Sequence, residues 1–361
     1  MGYPVHHGAV IGCGFIAHTK HLPALEKLKD RIQLTAFCDL KEERAQKAAS
    51  QYGAEGASVY TDYKEALKRS DIDVVYVLTP NRTHCELTTA ALKAGKHVMC
   101  EKPMAVSSTE AKQMCDEAKA SGRQLTIGYQ NRFRQDSRYL KKVVEEGQLG
   151  EIYLAKAHAV RRRGIPTWGV FLNEKEQGGG ALIDIGTHAL DMTLWIMDNY
   201  KPKRVTGSVY HKLGTGETCG NLFGPWDNKK ITVEDSAFGY IVMENGATIF
   251  LEASWALHTL DTREQKVTLC GTRAGADMND GVCINGIFGG ELSETYPLLR
   301  QTGVPGQIPS SHEADVEARM WLDALDTGRN ALVKPEQAMV VTQILEAIYT
   351  SARTGKEVLF Q

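Results

Sequence analysis

Ala9-Val10-Ile11-Gly12-Cys13-Gly14-Phe15-Ile16-Ala17 is the stretch that decides the fold. An apolar strand runs directly into a Gly-x-Gly-x-x-Ala turn that opens a helix. Gly12 permits the tight turn and Gly14 lets the backbone approach a pyrophosphate. Ala17 allows the helix to pack closely on the strand, and the helix N-terminus supplies N–H groups and a positive dipole end. A second strand, Leu34-Thr35-Ala36-Phe37-Cys38, ends at Asp39, about 20 residues past the turn. A carboxylate there accepts hydrogen bonds from ribose hydroxyls and repels a 2′-phosphate. Because Leu40-Lys41 follows rather than Arg, NAD is expected over NADP.

Working outward, strands and helices alternate. Glu42 to Tyr52 reads as a helix. Val74-Val75-Tyr76-Val77-Leu78 is a continuous apolar run, as a strand buried on both faces requires. Helices over 83–94 and 107–120 separate further strands at 96–100 and 125–129. Such alternation demands a parallel sheet with helices on both faces, so residues 1–130 are expected to form a doubly wound α/β dinucleotide-binding domain. Near residue 130 the pattern changes. After a helix at about 135–146 come strands at 151–162, 204–211, 236–243, 247–256 and 265–270, with a hairpin signal at Asn245-Gly246. Helices are predicted at 312–327 and 335–353. Residues 131–361 are therefore expected to form an α+β domain with a large, mostly antiparallel open sheet. Its outer face needs a cover, which predicts a homodimer or homotetramer formed through that sheet.

Bulk properties fit this reading. The 361 residues suit two domains, and a net charge of −2 argues against nucleic-acid binding. The sequence contains no apolar run long enough to span a membrane, and no signal-peptide-like start. The eight cysteines form no CxxC pair and several lie in apolar runs, which points to a reducing cytoplasm. With no HExxH and no cysteine cluster beside Asp184, His188 or His312-Glu313, no metal is expected.

Further motifs sit where ligands bind in such sheets. Thr79-Pro80-Asn81-Arg82-Thr83-His84 follows the central strand at its carboxyl end. Thr79, Asn81 and His84 are candidate ribose or nicotinamide contacts; a turn with a helix cap is the plainer alternative. Glu101-Lys102-Pro103 follows the next strand. Later in the chain comes Gly178-Gly179-Gly180-Ala181-Leu182-Ile183-Asp184-Ile185-Gly186-Thr187-His188-Ala189-Leu190-Asp191. Taken together, the Gly-rich turn, the TPNxxH loop, the EKP tripeptide and this GGGxLxDxGxHxxD segment closely resemble the Gfo/Idh/MocA family of oxidoreductases, over nearly the whole chain.

The resemblance implies NAD-dependent hydride transfer at a CH–OH group of a sugar or polyol. It implies Lys102, Asp184 and His188 as the catalytic set, with Glu101 and Pro103 as positioning residues near the nicotinamide. Gly12, Gly14, Phe15, Ile16, Asp39, Thr79, Asn81, His84, Glu101, Lys102, Gln130 and Trp168 are the expected cofactor contacts. Tyr129, Arg163 and Trp168 join the catalytic set on the substrate side. The chemistry is consistent with this. Asp184 and His188 lie one helical turn apart, and Asp191 follows on the same face. A histidine is a natural proton acceptor, and a lysine can hold developing negative charge on oxygen. The Arg161-Arg162-Arg163 run leading to Trp168-Gly169 resembles the branch acting on glucosides and anhydrosugars, with oxidation at C3 expected. An inositol dehydrogenase, a keto-sugar reductase, a redox glycosidase with retained NAD, or a non-catalytic NAD-binding regulator are the alternatives.

Overall fold

A computed structural model describes residues 4–279, 281–299 and 312–360. The chain divides into two compact units. The first begins with β1 (His6–Ile11), followed by a helix that runs as a π turn over Ala17–His21 and then as α1 (Leu22–Glu26). Next come β2 (Ile32–Cys38), α2 (Glu42–Tyr52), β3 (Ser58–Tyr60), α3 (Tyr63–Leu67) and β4 (Val74–Val77). It continues through α4 (His84–Lys93), β5 (His97–Cys100), α5 (Ser108–Ser121) and β6 (Leu125–Ile127). All neighbouring strands run parallel in the order β3-β2-β1-β4-β5-β6. The chain reverses its winding between β1 and β4, and at such a switch point a crevice opens outside the strands' carboxyl ends. Local chemistry sets the boundaries. The Ser107 hydroxyl accepts from the Glu110 N–H at 3.2 Å to start α5, and Gly122 ends it at φ 65°. The short pair β3 and α3 left no periodic signal in the sequence; β3 is a three-residue edge strand of half-buried side chains.

The second unit contains α6 (Gln135–Glu145), β7 (Ile152–Val160), α7 (Glu174–Gln177) and α8 (Thr187–Met197). Seven further strands follow: β8 (Pro202–Tyr210), β9 (Ser236–Met243), β10 (Thr248–Ser254), β11 (Lys266–Gly271), β12 (Ala274–Asp277), β13 (Cys283–Phe288) and β14 (Glu291–Thr295). In chain order α9 (His312–Thr327) comes next, then α10 (Pro335–Thr354), which enters the second unit at Val340, and β15 (Val358–Leu359). The sheet has the order β14-β13-β12-β11-β7-β10-β9-β8-β15 and is antiparallel apart from the β7–β10 pair. Ala155, Ala157 and Ala159 give β7 a flat face on which α8 packs. Gly207 and Gly239 are paired in register on β8 and β9, and a Cβ on Gly239 would lie 2.6 Å from the Ile348 side chain. The missing side chains are what let α10 lie on the sheet. The opposite face carries aromatic pairs, Tyr240 with Phe250 at 5.3 Å and Tyr210 with Phe238 at 6.0 Å between ring centroids.

One element departs from the expected division at residue 130. Helix α9 belongs to the first unit, together with the chain through Met339. Ala318, Trp321 and Leu322 join Val10, Leu25 and Tyr76 in one apolar cluster. Charges fasten the same helix: Arg31 reaches Asp323 at 2.8 Å and Asp326 at 2.5 Å, and His6 reaches Asp326 at 2.8 Å. An amphipathic pattern shows that a helix has an apolar face, not which neighbour receives it.

Candidate active site

The nucleotide-binding residues of the first unit are set by the β1 turn. Gly12 has φ +96°, and a Cβ there would lie 2.7 Å from the Leu78 carbonyl. A Cβ on Gly14 would meet nothing within 4 Å, so open space lies over that backbone. Ala17 is fully buried against the strand, Phe15 is exposed and Ile16 is half-buried. Asp39 is held rigidly: Oδ2 accepts from the Cys13 N–H and Oδ1 from the Lys41 N–H, each at 2.9 Å. Its remaining lone pairs are free in direction to take ribose hydroxyls. The next residue, Leu40, is 93% exposed and offers apolar surface rather than a cation. The Cys13 thiol in the turn is pushed up to about 12, by burial first and then by Asp39 and Cys38, so it is inert. These residues fit a bound NAD.

In the loops after β4, β5 and β6, His84, Glu101 and Tyr129 turn inward. His84 is fully buried, with Nδ1 2.8 Å from the Pro103 carbonyl and Nε2 2.9 Å from the Thr79 carbonyl. It sits between the two loops, the neutral ring donating its one N–H to one of these carbonyls, instead of presenting an edge to a ligand. Burial pushes its pKa down, against the pull of those two carbonyls. The Thr79 hydroxyl accepts from Thr83 at 2.7 Å, and Asn81 is buried beside it. Glu101 turns inward as well. Its Oε1 receives Lys20 Nζ at 2.7 Å and His21 Nε2 at 2.8 Å, while Oε2 accepts the Lys102 N–H at 2.9 Å. Lys20 also bridges to Glu317 of α9 at 2.9 Å. Burial opposes the Glu101 charge, but Lys20 and His21 outweigh it and hold the carboxyl well below its usual range. Glu101 therefore acts on Lys102 through the backbone and not on a ligand. The Lys102–Pro103 peptide is cis, and the Lys102 side chain is half-buried. Tyr129 is fully buried, a wall residue with no surface left for a sugar, and Gln130 beside it is half-buried.

In the second unit, Asp184 and His188 lie on a helix that opens with a π turn over Leu182–Gly186 and continues as α8. Such insertions concentrate at functional sites. Side chains on Gly179 and Gly180 would collide with the Tyr349 hydroxyl and the Glu234 carbonyl, and Gly178 ends α7 at φ 79°, which together account for the Gly triplet. Glu234, 2% exposed, holds the start of the segment. Its carboxylate accepts from Gly180 N–H at 2.8 Å, Leu182 N–H at 2.9 Å and the Tyr349 hydroxyl at 2.8 Å. Burial raises the pKa of Glu234, with those hydrogen bonds resisting, and raises that of Tyr349. Asp184 Oδ2 accepts from the indole N–H of fully buried Trp255 at 2.9 Å. His188 is nearly buried one turn on, and Asp191 is wholly buried.

The arginine whose charge is favoured by the Asp184 carboxylate is Arg161. The Arg163 guanidinium donates to the Glu217 carbonyl and lies over the Trp226 ring at 5.6 Å, so it serves a loop. Arg161 is gripped by Glu264 at 2.5 and 2.9 Å; burial disfavours its charge, but Glu264 and Asp184 favour it and raise its pKa. Trp168 packs edge-on against Phe223 and Phe171. Lys20, Glu317, Glu234, Tyr349 and Trp255 were not singled out from sequence, and Arg161 was named only as part of the arginine run. Among the first five, the adjacent Glu234-Asp235 carboxylates before an apolar strand carried a signal. Among the described residues, no group of three or more His, Cys, Asp or Glu gathers to hold a metal ion.

Residues 7–129 match the Gfo/Idh/MocA oxidoreductase family, NAD-binding Rossmann fold, and residues 137–277 match the C-terminal domain of the same family. The chain belongs to the Gfo/Idh/MocA family of oxidoreductases. Within the family it is 37% identical to a D-glucoside 3-dehydrogenase of Escherichia coli, over 97% of this chain and 96% of that one. It is 30% identical to an inositol 2-dehydrogenase/D-chiro-inositol 3-dehydrogenase of Lactiplantibacillus plantarum, over 54% of each chain. The fold matches a levoglucosan dehydrogenase in complex with NADH and levoglucosan, at TM-score 0.83 and 22% identity over 99% of both chains. An oxidoreductase domain protein from Kribbella flavida gives TM-score 0.85 at 22% identity over the full length of both. As a Gfo/Idh/MocA member the chain is an NAD-binding oxidoreductase, and no described helix is long and apolar enough to cross a membrane.

Proposed function

We propose that this Gfo/Idh/MocA enzyme oxidises a secondary hydroxyl, at C3, of a glucose-type ring in a glucoside or anhydrosugar. The observation that carries the reading is Asp184: a carboxylate fixed by the Trp255 indole N–H, backed by Arg161, with His188 one turn further on. Similarity to the D-glucoside 3-dehydrogenase over nearly the whole chain supports the substrate class. NAD, when bound, supplies the hydride acceptor; Gly12, Gly14, Phe15, Ile16 and Asp39 are the residues that would hold it.

In this reading His188 takes the hydroxyl proton, Lys102 polarises the same oxygen, and Asp184 orients a neighbouring hydroxyl. Trp168 serves on the substrate side. The second unit, residues 134–302 with 340–361, is the substrate-binding unit. The aromatic face formed by Phe238, Tyr240 and Phe250 is then the surface through which two or four copies associate, because a broad apolar sheet face is costly to leave in water. The eight unpaired thiols suit a reducing compartment, the cytoplasm.

A panel of glucosides, inositols and anhydrosugars, with NAD or NADP and absorbance of the reduced cofactor as readout, tests the function. Glucosides are expected to turn over with NAD, and product analysis is expected to find a 3-keto sugar. Lys102→Ala and His188→Ala should each lower kcat/KM by about 100-fold or more. Turnover within tenfold of wild type for both would overturn the assignment, and faster oxidation of inositols would move the enzyme to that substrate class.

A further inference from the structure

Two loops of the second unit, one after β7 and one between β8 and β9, are tied together with Asn221 at the centre of the contact. The Asn221 amide accepts from the Ile165 N–H at 2.8 Å and donates to the Ile165 and Gly224 carbonyls at 2.9 and 2.7 Å. The Thr167 hydroxyl adds a bond to the Phe223 carbonyl at 2.9 Å. On this fixed frame stand Trp168 and Phe223, their rings perpendicular with centroids 4.8 Å apart. Trp168 is 37% exposed and Phe223 41%. Rigidly held aromatic faces left in water are costly, and they are the surfaces that sugar C–H faces and flat apolar groups cover.

What this shelf adjoins determines what it binds. The Arg161 guanidinium lies 5.5 Å from the Phe223 ring centroid, and the same guanidinium feels the Asp184 charge. A polar end, Asp184 with Arg161, thus passes through one guanidinium into an aromatic end. A ligand matching that gradient has hydroxyls at one end and an apolar ring at the other.

We propose that the Trp168–Phe223 shelf is a binding site for the aglycone of a glycoside, so that the enzyme takes glucosides bearing an aromatic or second-ring aglycone over methyl glucoside or free glucose. The proposal rests on the reading of Asp184 as a residue that binds sugar hydroxyls. Phe223 is then a specificity residue: it never meets the reacting carbon but stacks on the group beyond the glycosidic oxygen.

Calorimetric titration of the NADH-loaded enzyme with phenyl and methyl glucosides, in both anomers, tests the site without requiring turnover. Phenyl glucoside of the bound anomer is expected to bind at least about tenfold more tightly than its methyl counterpart, as one added aromatic contact supplies. Phe223→Ala should bring that ratio close to one, and Phe223→Tyr should restore it. Both variants keep the backbone bonds of the loop, and an unchanged Tm checks their folding. A wild-type ratio below threefold, a ratio unaltered in Phe223→Ala, or a Phe223→Ala enzyme that loses oligomer mass in sedimentation would each overturn the proposal. Absence of NAD-dependent oxidation of any glucoside would instead strike the proposed function, while the titration still reads the shelf.

Discussion

Asp39 shows how one carboxylate chooses a cofactor. Two backbone N–H groups hold it in a single orientation at the end of β2, and exposed Leu40 follows where an arginine would welcome a phosphate. Asp39→Ala is expected to raise the KM for NAD about tenfold or more, through lost charge-assisted hydrogen bonds, and to narrow the NAD-to-NADP ratio of kcat/KM. Equal loss with both cofactors would show that Asp39 only shapes the turn. His97 is a residue whose effect falls on stability. Nδ1 accepts the Gln124 N–H at 3.0 Å, a bond only the neutral ring can take. Burial, with Arg123 and His6, lowers its pKa to about 4 from 6.5. Between those values the unfolded chain binds the extra proton, so stability should fall as pH drops from 6.5 towards 4. Urea midpoints at pH 7 and pH 5 should differ less in His97→Gln than in wild type. Sequence revealed the residues whose chemistry is local, Gly12 and Asp39. It did not show that His84, Glu101 and Arg163 reach protein partners, because composition and spacing do not show which way a side chain turns.

At the scale of elements, the π turn that opens α8 depends on a residue from a distant strand. Glu234 satisfies two N–H groups at the start of that turn, and the Gly triplet makes room for it and for Tyr349. Glu234→Ala should cost about 3 kcal/mol, since it strands buried donors, and should lower kcat for glucoside oxidation at least about tenfold. NAD affinity is expected to be unchanged, because Glu234 lies in the other unit. Glu234→Gln should recover most of the activity. Parallel losses in kcat and NAD affinity would mean general unfolding. Helices such as α5 and α9 were legible because their apolar period and end residues agree. β12, β13 and β14 were not: they are short, and β14 carries little buried apolar surface to mark one face.

For the molecule as a whole, the decisive event is the return of the chain, after the excursion over residues 134–302, to complete the first unit. The Rossmann sheet is not sealed by residues 1–133, since Ala318, Trp321 and Leu322 of α9 fill the cluster that contains Val10, Leu25 and Tyr76. The same helix supplies Glu317, which pairs with Lys20 and so steadies Glu101, the carboxylate that receives the Lys102 N–H. Nucleotide binding should therefore depend on a helix encoded far from every nucleotide motif. Trp321→Ala removes the largest of these side chains and should cost about 3–5 kcal/mol, the range for truncating a buried tryptophan. Because Trp321 shares its cluster with Val10, on the strand that leads into the Gly12 turn, the Kd for NAD should rise in the same variant. Urea unfolding followed with and without NAD separates the two effects. A loss below about 1 kcal/mol, or wild-type affinity for NAD, would show that the first unit stands without α9 and that the helix is an appendage rather than part of its core.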